Sequence, residues 1–80
     1  MFYVYIIQSK KDNNYYVGMT SDITKRLAYH NTGKVRSTKA RIPFELKHQE
    51  SFSSRIEARE REKYLKSYKG SKEKYELLQK

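Results

Sequence analysis

The sequence predicts an α/β fold of the α+β type, in which helices flank a three-stranded, largely antiparallel sheet in the order β-β-α-β-α-α. Three observations favour it: two strand-like runs joined by a polar turn within residues 2–20, an alternating run over residues 44–52, and helical segments after each. The 80 residues contain no Pro/Gly/Ser-rich linker and no internal repeat, so we expect one domain over residues 1–80.

The first element is a predicted β-hairpin. Strand-forming residues cluster at positions 4–7 and 15–17, and the polar segment between them has turn chemistry. Tyr3 and Tyr5 lie two positions apart and therefore share one face of the first strand. Gly18 is expected to end the second strand, at a point where close backbone approach or a positive φ favours glycine.

A helix is predicted between Thr20 and Gly33. Thr20 or Ser21 is the expected N-cap, and Asp22 suits the positive end of the helix dipole. Gly33 marks the expected end of the helix.

Two polar residues stand out on this helix. His30 shares a face with Ile23 and Leu27, at the i, i+4 and i+7 spacing of an amphipathic helix. Arg26 lies beside that face, four residues before His30. We therefore expect Arg26 and His30 to be stacked neighbours at the edge of the core.

A basic segment follows at residues 34–41, with four basic residues and no acid. We expect a surface loop that has room for a short helical turn and touches phosphate, and a merely solvated loop is an equally weighted alternative. Pro43 then opens a third strand over residues 44–52. One face of this strand is expected to carry alternate residues, namely Phe44, Leu46 and His48.

Ser54 and Glu57 form a capping box, which predicts a helix running to about residue 68. Glu62 falls in the inward-facing stripe of this helix, between positions that favour burial. Residues 69–71 are expected to break the helix, and residues 72–80 to form a last short one.

The charge is strongly positive: 18 Lys and Arg residues against nine Asp and Glu give a formal net charge of +9. Such a bias favours polyanions as partners, with nucleic acid first, an anionic membrane second and a merely soluble basic surface as the alternative. No basic amphipathic segment with a large aromatic face supports a membrane partner. The sequence has no cysteine, no membrane-spanning apolar run and no signal-peptide pattern, so we expect a cytoplasmic protein.

Three polar residues on the predicted helices, Arg26, His30 and Glu62, are unexpected in a purely structural domain. A buried charge is costly unless it is paired or holds a metal. Each residue taken singly has an ordinary explanation: a surface arginine, a satisfied core histidine, or an ion pair of Glu62 with Arg59 or Lys66. The tyrosines, equally, could be core aromatics. Together, however, they provide the residue types of a phosphodiester-cleaving site.

The tyrosine-bearing hairpin resembles the paired-strand signature of the GIY-YIG endonuclease domain. Its two triplets are Tyr3-Val4-Tyr5 and Tyr16-Val17-Gly18, with valine in place of isoleucine in both and Tyr3 where the family name has glycine. The resemblance covers residues 2 to about 66 and is greatest to small stand-alone bacterial members, which are similar to the nuclease domain of the excision-repair excinuclease C subunit. It continues along both helices, at Arg26, His30, Glu57-Ala58 and Glu62.

The resemblance implies a role for each matched residue. Tyr5 would orient or deprotonate the attacking water, and Tyr16 would lie near the scissile phosphate. Arg26 would stabilise phosphate charge, His30 would assist proton transfer, and Gly18 would let the backbone approach the site. Tyrosine is a poor base at neutral pH because its reference pKa is about 10, so the choice between Tyr5 and His30 as general base stays open.

The resemblance also implies that Glu62 is the sole carboxylate ligand of one divalent ion, Mg²⁺ or Mn²⁺. One carboxylate suffices because Mg²⁺ commonly keeps several waters and binds substrate phosphate. Basic residues of the loop and the later helices would hold the nucleic-acid backbone, namely Lys34, Arg36, Lys39, Arg41, Lys63, Lys66 and Lys69.

These observations predict a metal-dependent endonuclease that hydrolyses phosphodiester bonds in DNA, with weak intrinsic sequence specificity and a setting in DNA repair or recombination. The alternative is a DNA- or RNA-binding module with little or no cleavage. Met19 and Lys74 favour this alternative, because many family members have lysine or another polar residue at the first position and some have asparagine at the second. A partner-binding protein without affinity for nucleic acid is a third hypothesis. We expect a monomer or a weak homodimer.

Overall fold

The computed structural model describes residues 1–78, with the backbone alone at residues 68 and 69. The predicted order β-β-α-β-α-α is confirmed, and the predicted end of the last helix at residues 79–80 lies outside the described residues. The strands are β1 (Phe2–Ser9), β2 (Tyr15–Thr20) and β3 (Phe44–Phe52). The helices are α1 (Ile23–Asn31), α2 (Arg55–Lys66) and α3 (Tyr68–Leu78), with a 3₁₀ turn at Lys39–Arg41.

β1 is the central strand of an antiparallel sheet with the order β2-β1-β3. A central strand that is covered on both faces buries successive side chains, and residues 4–7 are all buried. The cross-strand partner of Tyr5 in β2 is Gly18. The predicted antiparallel sheet is confirmed, but β2 continues past Gly18 to Thr20 rather than ending at the glycine.

Different helices cover the two faces of the sheet. α2 and α3 pack on the face that carries Val4 and Ile6. α1 packs on the opposite face, where Tyr5, Ile7 and Phe44 form a second buried cluster. β1 serves both layers because successive residues of a strand point to opposite faces. Among the described residues, no helix has the length and apolar character that a membrane crossing requires.

A β-bulge changes the face of β3 partway along the strand. Ile6 pairs with His48 and Ile7 with Leu46, which leaves Lys47 outside the register. Leu46 therefore faces α1, whereas His48 faces α2, and the prediction that they share one face is wrong. A bulge inserts one residue without changing the alternation of apolar and polar residues, so the sequence pattern does not reveal it.

The N-cap of α1 is Asp22, and the prediction of Thr20 or Ser21 is wrong. The Asp22 carboxylate accepts a hydrogen bond from the Lys25 amide at 3.0 Å. The Thr20 hydroxyl instead accepts from the Asp22 amide at 3.1 Å, as the chain leaves β2. Asp22 is favoured as the cap because its carboxylate both bonds an unsatisfied amide and meets the positive end of the helix dipole.

The break between the last two helices lies at Ser67, not at residues 69–71 as predicted. The Ser67 hydroxyl donates to the Tyr64 carbonyl at 2.6 Å and accepts from the Gly70 amide at 3.1 Å. Gly70 lies inside α3, where an added Cβ would be 1.8 Å from the Tyr64 carbonyl oxygen. This glycine therefore allows α3 to pack against the end of α2 instead of ending a helix.

Candidate active site

The Tyr5 hydroxyl is the meeting point of two side chains from α1. It lies 2.9 Å from Nε2 of His30 and 3.5 Å from Nε of Arg26. The two α1 side chains reach one atom because they lie one turn apart on the helix that covers this face of β1. Their meeting point is inside the core rather than at its edge, since Tyr5 is 2% exposed and His30 0%.

Gly18 lies against the ring of Tyr5. An added Cβ at Gly18 would be 2.3 Å from the Tyr5 hydroxyl oxygen and 2.4 Å from Cζ. Any larger residue would therefore push the phenol away from His30. The close approach expected at this glycine is made by the Tyr5 side chain, which crosses β2 at this point.

Tyr16 borders the same histidine from the edge strand β2. Its ring centre lies 5.1 Å from that of His30 in an edge-to-face arrangement, and Tyr5 makes a similar contact at 5.9 Å. Tyr16 is half-buried, whereas Tyr5 is buried. Of the two tyrosines, Tyr16 is therefore the one that a ligand reaches more easily.

The environment keeps His30 neutral at physiological pH. Burial, followed by the positive charge of Arg26, lowers the pKa of His30 from 6.5 to about 4. Both ring nitrogens have partners: Nε2 meets Tyr5, and Nδ1 lies 2.8 Å from the Thr38 hydroxyl. A neutral imidazole donates through one nitrogen and accepts through the other. The accepting nitrogen of His30 can therefore take up a proton.

Tyr5 is a neutral phenol in these surroundings. Burial raises the pKa of Tyr5, the hydrogen bond and charge of Arg26 oppose the rise, and the charges of Tyr16 and Glu62 add to it. The influence of Glu62 places its carboxylate within electrostatic range of the phenol, although it comes from α2. A further cation near Tyr5 would lower this pKa.

Glu62 is mostly buried and forms an ion pair with Lys66. Its side chain is 18% exposed, and its Oε2 lies 3.3 Å from Nζ of Lys66, one turn further along α2. The same ammonium lies 5.7 Å from the ring centre of Tyr16, which connects this end of α2 to β2. Lys66 is one of the two ordinary partners considered for Glu62, and at 49% exposure it has room to turn away.

The Glu62 carboxylate fits a site for a single divalent ion. Within residues 1–78, no group of three or more His, Cys, Asp or Glu side chains could hold a metal by itself. Mg²⁺ does not need such a group, because it commonly binds one or two carboxylates together with waters and substrate phosphate. A partly exposed carboxylate within electrostatic range of Tyr5 would provide that kind of ligand once Lys66 has turned away.

Arg26 has no carboxylate partner within residues 1–78. Its contacts are the Tyr5 hydroxyl and the ring of Tyr29, whose centre lies 5.5 Å from the guanidinium carbon. The guanidinium can therefore bind an anion without giving up an ion pair. A shallow cavity of about 200 Å³ opens beside it, lined by Thr20, Ser21, Asp22, Lys25, Arg26 and Tyr29.

The family of the chain follows from its match to known sequences. A family model described as the GIY-YIG catalytic domain matches residues 1–76. The chain belongs to the GIY-YIG family. This is a nuclease family, so the match confirms the resemblance of the tyrosine-bearing hairpin and indicates a nucleic-acid substrate.

Proteins of similar sequence come from several organisms. A UPF0213 protein of Staphylococcus haemolyticus is 46% identical over 67 residues, which cover 82% of this chain and 80% of the relative. A UPF0213 protein of Halobacterium salinarum is 43% identical over 67 residues, covering 82% and 86%. The solution NMR structure of a UPF0213 protein from Bacillus halodurans is 34% identical, with a TM-score of 0.58 and coverage of 96% and 85%. These relatives support the family and the fold, and their names state no activity.

The basic residues expected to bind nucleic acid have different surroundings in this GIY-YIG chain. Arg41 is half-buried, and its Nε donates to the Asp12 carboxylate at 3.0 Å, which connects the loop after α1 to the turn of the hairpin. The side chain of Lys69 lies outside the described residues. The remaining five are exposed, namely Lys34, Arg36, Lys39, Lys63 and Lys66.

Sequence reasoning missed Thr38, which is fully buried and contacts His30. Residues 34–41 are expected to form a surface loop, and the short helical turn is present at Lys39–Arg41, but Thr38 lies inside the protein. Nothing in the local composition separates Thr38 from the exposed Ser37 beside it. The one usable signal is that a buried histidine needs a partner for each ring nitrogen.

The two departures from the family pattern lie away from the Tyr5 hydroxyl. Met19 pairs with Val4 and packs against the cluster on the α2 side of the sheet. Lys74 lies on α3, with its ammonium 5.6 Å from the ring centre of Tyr75. Met19 therefore serves the hydrophobic layer opposite Tyr5.

Proposed function

We propose that this GIY-YIG chain is a metal-dependent endonuclease that hydrolyses phosphodiester bonds in DNA, with weak intrinsic sequence specificity and a setting in DNA repair or recombination. The observation that carries the proposal is the convergence of His30 and Arg26 on the Tyr5 hydroxyl. Hydrolysis needs an acceptor for the proton of the attacking water and a positive charge for the phosphate oxygens. A neutral imidazole and a guanidinium beside one phenol supply both.

Arg26 would bind the scissile phosphate. A guanidinium stays charged at any pH in a protein and forms strong, directional hydrogen bonds with phosphate oxygens. Tyr5 occupies Nε only, and no hydrogen bond within the described residues occupies the terminal nitrogens. A bound phosphate would also offset the charge of Arg26, which would raise the pKa of His30 when substrate is in place.

Tyr5 would meet the attacking water, and His30 would receive the proton. A phenol whose pKa is raised by burial is a weak base on its own. It can accept a proton from water only as its own proton moves to a neighbour, and Nε2 of His30 lies 2.9 Å away. Tyr16, which is half-buried beside His30, would border the phosphate.

Glu62 would hold one Mg²⁺ or Mn²⁺ ion. When bound, the ion would supply Lewis-acid stabilisation of the negative charge that develops on the phosphate oxygens. Glu62 can bind it only after Lys66 gives up its 3.3 Å contact with the carboxylate. The released ammonium could then contact a neighbouring phosphate.

The exposed basic residues would hold the DNA backbone. Lys34, Arg36 and Lys39 lie in the loop after α1, and the Lys34 ammonium is 5.8 Å from the ring centre of Tyr29, the aromatic residue beside Arg26. Contacts with phosphate fix the position of a protein on DNA but carry no base information. This distribution of charge therefore supports weak sequence specificity.

Incubation of plasmid and of branched DNA with Mg²⁺ or Mn²⁺ tests the proposal. We expect nicking by the wild type that disappears in EDTA and in Glu62→Ala. The matched control is Glu60→Ala, which removes an exposed glutamate from the same helix and should cut like the wild type. Cleavage that survives Glu62→Ala would point to a contaminating nuclease and refute the assignment.

A DNA- or RNA-binding module with little or no cleavage is the second candidate. The observation in its favour is that the Glu62 carboxylate is already paired with Lys66. Salt-sensitive binding without cleavage in either metal would support it. A cytoplasmic location and a monomeric or weakly dimeric state stay predictions.

A further inference from the structure

A buried chain of hydrogen bonds connects Arg26 to the loop that follows α1. Nε of Arg26 lies 3.5 Å from the Tyr5 oxygen, which lies 2.9 Å from Nε2 of His30. Nδ1 of His30 lies 2.8 Å from the Thr38 hydroxyl, which donates to the Val35 carbonyl at 3.4 Å. Thr38 and His30 are both 0% exposed, so the hydrogens between them need partners inside the protein.

The groups at the two ends of this chain of hydrogen bonds determine which atom donates in each bond. Arg26 can only donate, so the Tyr5 oxygen accepts at that end. The Val35 carbonyl can only accept, so the Thr38 hydroxyl hydrogen points to it. Thr38 must then accept from Nδ1–H of His30, which leaves Nε2 to accept the phenolic hydrogen of Tyr5.

If the donors and acceptors were reversed between Tyr5 and His30, a buried hydrogen would have no partner. If Nε2 of His30 carried the hydrogen, the Tyr5 oxygen would accept from both neighbours. The phenolic hydrogen would then have no acceptor within the described residues. An unsatisfied buried donor loses its hydrogen bonds to water without replacement, so the first arrangement is the dominant one.

We propose that Thr38 is a positioning residue that holds His30 in the Nδ1–H tautomer and so presents the Tyr5 oxygen to the site as a proton acceptor. This inference rests on the proposed nuclease function. The water oxygen would bond to phosphorus while the water proton moves to the Tyr5 oxygen and the phenolic proton moves to Nε2. The bond from phosphorus to the leaving oxygen breaks with its electron pair. The leaving oxygen takes a proton from solvent. The imidazolium of His30 later releases a proton to solvent, which restores the starting state.

The backbone around Thr38 holds its hydroxyl in place. The Thr38 amide donates to the Val35 carbonyl at 3.1 Å, and the Thr38 carbonyl accepts from the Arg41 amide at 2.9 Å. The loop is also joined to β1, because the Ser9 hydroxyl donates to the Arg41 carbonyl at 2.5 Å. Thr38 is thus fixed by backbone contacts, which lets a short loop set the tautomer of a helix residue.

The tautomer of His30 can be measured without nucleic acid. Long-range ¹H–¹⁵N correlation of the two ring nitrogens distinguishes Nδ1–H from Nε2–H, and His48 in the same protein serves as the internal reference. At pH 7 we expect the Nδ1–H tautomer in the wild type and in Thr38→Ser, which keeps the hydroxyl. In Thr38→Val, which keeps the shape of the side chain, we expect the Nε2–H tautomer or a mixture.

Thr32→Val is the matched control. The Thr32 hydroxyl also donates to a backbone carbonyl, that of Tyr29 at the end of α1, at 3.0 Å. This variant should leave the His30 tautomer unchanged. An Nε2–H tautomer in the wild type, or an unchanged Nδ1–H tautomer in Thr38→Val, would overturn the proposal. An Nε2–H tautomer in the wild type overturns the proposal even if Thr38→Val does not fold, and Thr38→Ser then tests the hydroxyl.

A kinetic measurement separates positioning from general packing. We expect Thr38→Val to lower kcat by roughly 10- to 100-fold, the range known for groups that orient metal-binding histidines, with KM unchanged. Thr38→Ser should restore most of the rate. If the protein binds DNA without cutting it, the nuclease function fails while the tautomer result still stands. If the protein cuts DNA and Thr38→Val cuts equally well, the positioning role fails alone.

Discussion

Arg26 and Arg61 serve opposite sides of the same sheet and have opposite surroundings. Arg61 donates from Nε and Nη2 to the two oxygens of Glu50, at 2.7 and 3.1 Å, and also pairs with Glu73. The hydrogen bond with Glu50, and then that with Glu73, raises the pKa of Arg61, while Arg61 lowers that of Glu50. The Arg26 side chain contacts the Tyr5 hydroxyl and the Tyr29 ring, and it has no carboxylate partner within residues 1–78.

The two histidines repeat this contrast. His48, on the α2 side, lies 2.9 Å from the Glu50 carboxylate. His30, on the α1 side, has two hydroxyls as its hydrogen-bond partners within residues 1–78, and its pKa is about 4. On the α2 side Arg61 is paired with two carboxylates, Glu50 and Glu73, which suits a structural role. On the α1 side Arg26 has no carboxylate partner within residues 1–78 and His30 is a neutral base, which suits a site that binds an anion and accepts a proton.

Exchanging the two arginines for glutamine should separate the roles of the two sides. Arg26→Gln removes the phosphate-binding charge, so we expect a loss of cleavage of about 10²–10³-fold, the usual cost of losing one transition-state donor. Its free energy of unfolding should change little because no ion pair is broken. Rates of plasmid nicking and urea denaturation measure the two quantities. A loss of stability with near-normal cleavage would contradict the account.

The protein should lose stability as the pH is lowered, because of His30. Its pKa is about 4 when folded against 6.5 when unfolded, so the unfolded chain binds more protons between these values. The contribution is complete above pH 6.5 and is lost as the pH falls toward 4, by roughly 3 kcal/mol for a shift of this size. Urea denaturation between pH 7 and 4.5 measures it. His30→Gln should flatten the slope, and an unchanged slope would count against a buried neutral His30.

Arg61→Gln should act mainly on stability. It leaves the half-buried Glu50 and Glu73 carboxylates without their shared partner, for which we expect a loss of about 1–3 kcal/mol, less than for a fully buried pair. Cleavage should stay within a few-fold of the wild type. A double-mutant cycle with Glu50→Gln isolates the pair energy. An Arg61→Gln variant that is stable but inactive would remove the contrast between the two sides.

The smallest effect is expected in the loop after α1. Arg36→Ala combined with Lys39→Ala should lower the slope of log K against log salt by about 1.8 if both contact duplex phosphates, at roughly 0.9 for each contact. Arg55→Ala combined with Arg59→Ala, two exposed arginines of α2 outside the expected interface, is the matched control. Fluorescence anisotropy at several salt concentrations measures both. Equal slopes for the two double variants would place the DNA elsewhere.

The elements and much of the site could be predicted because the residues that determine them are local. β3 has the predicted bounds, since Pro43 and the alternation of residues 44–52 both mark it. Arg26 and His30 meet because four residues are one helical turn. The positions of the two tyrosines follow in the same way from pairing within the hairpin.

The remaining features depend on contacts that no local pattern records. The bulge at Lys47 moves His48 to the α2 side through its pairing with β1. Thr38 is buried because backbone bonds to Val35 and Arg41 curl the loop around it. The link from Glu62 through Lys66 to Tyr16 joins distant segments, which the spacing of Glu62 on its own helix does not show.

A crystal soaked in Mn²⁺ tests the central claim most directly. The claim is that the α1 side of the sheet, together with Glu62, forms a phosphodiester-cleaving site for one divalent ion. We predict an anomalous peak within ligand distance of the Glu62 carboxylate, facing Tyr5 and Arg26, with Lys66 turned away. An ion at Glu50 and Glu73 instead, or none at Glu62 while Lys66 keeps its contact, would contradict the account.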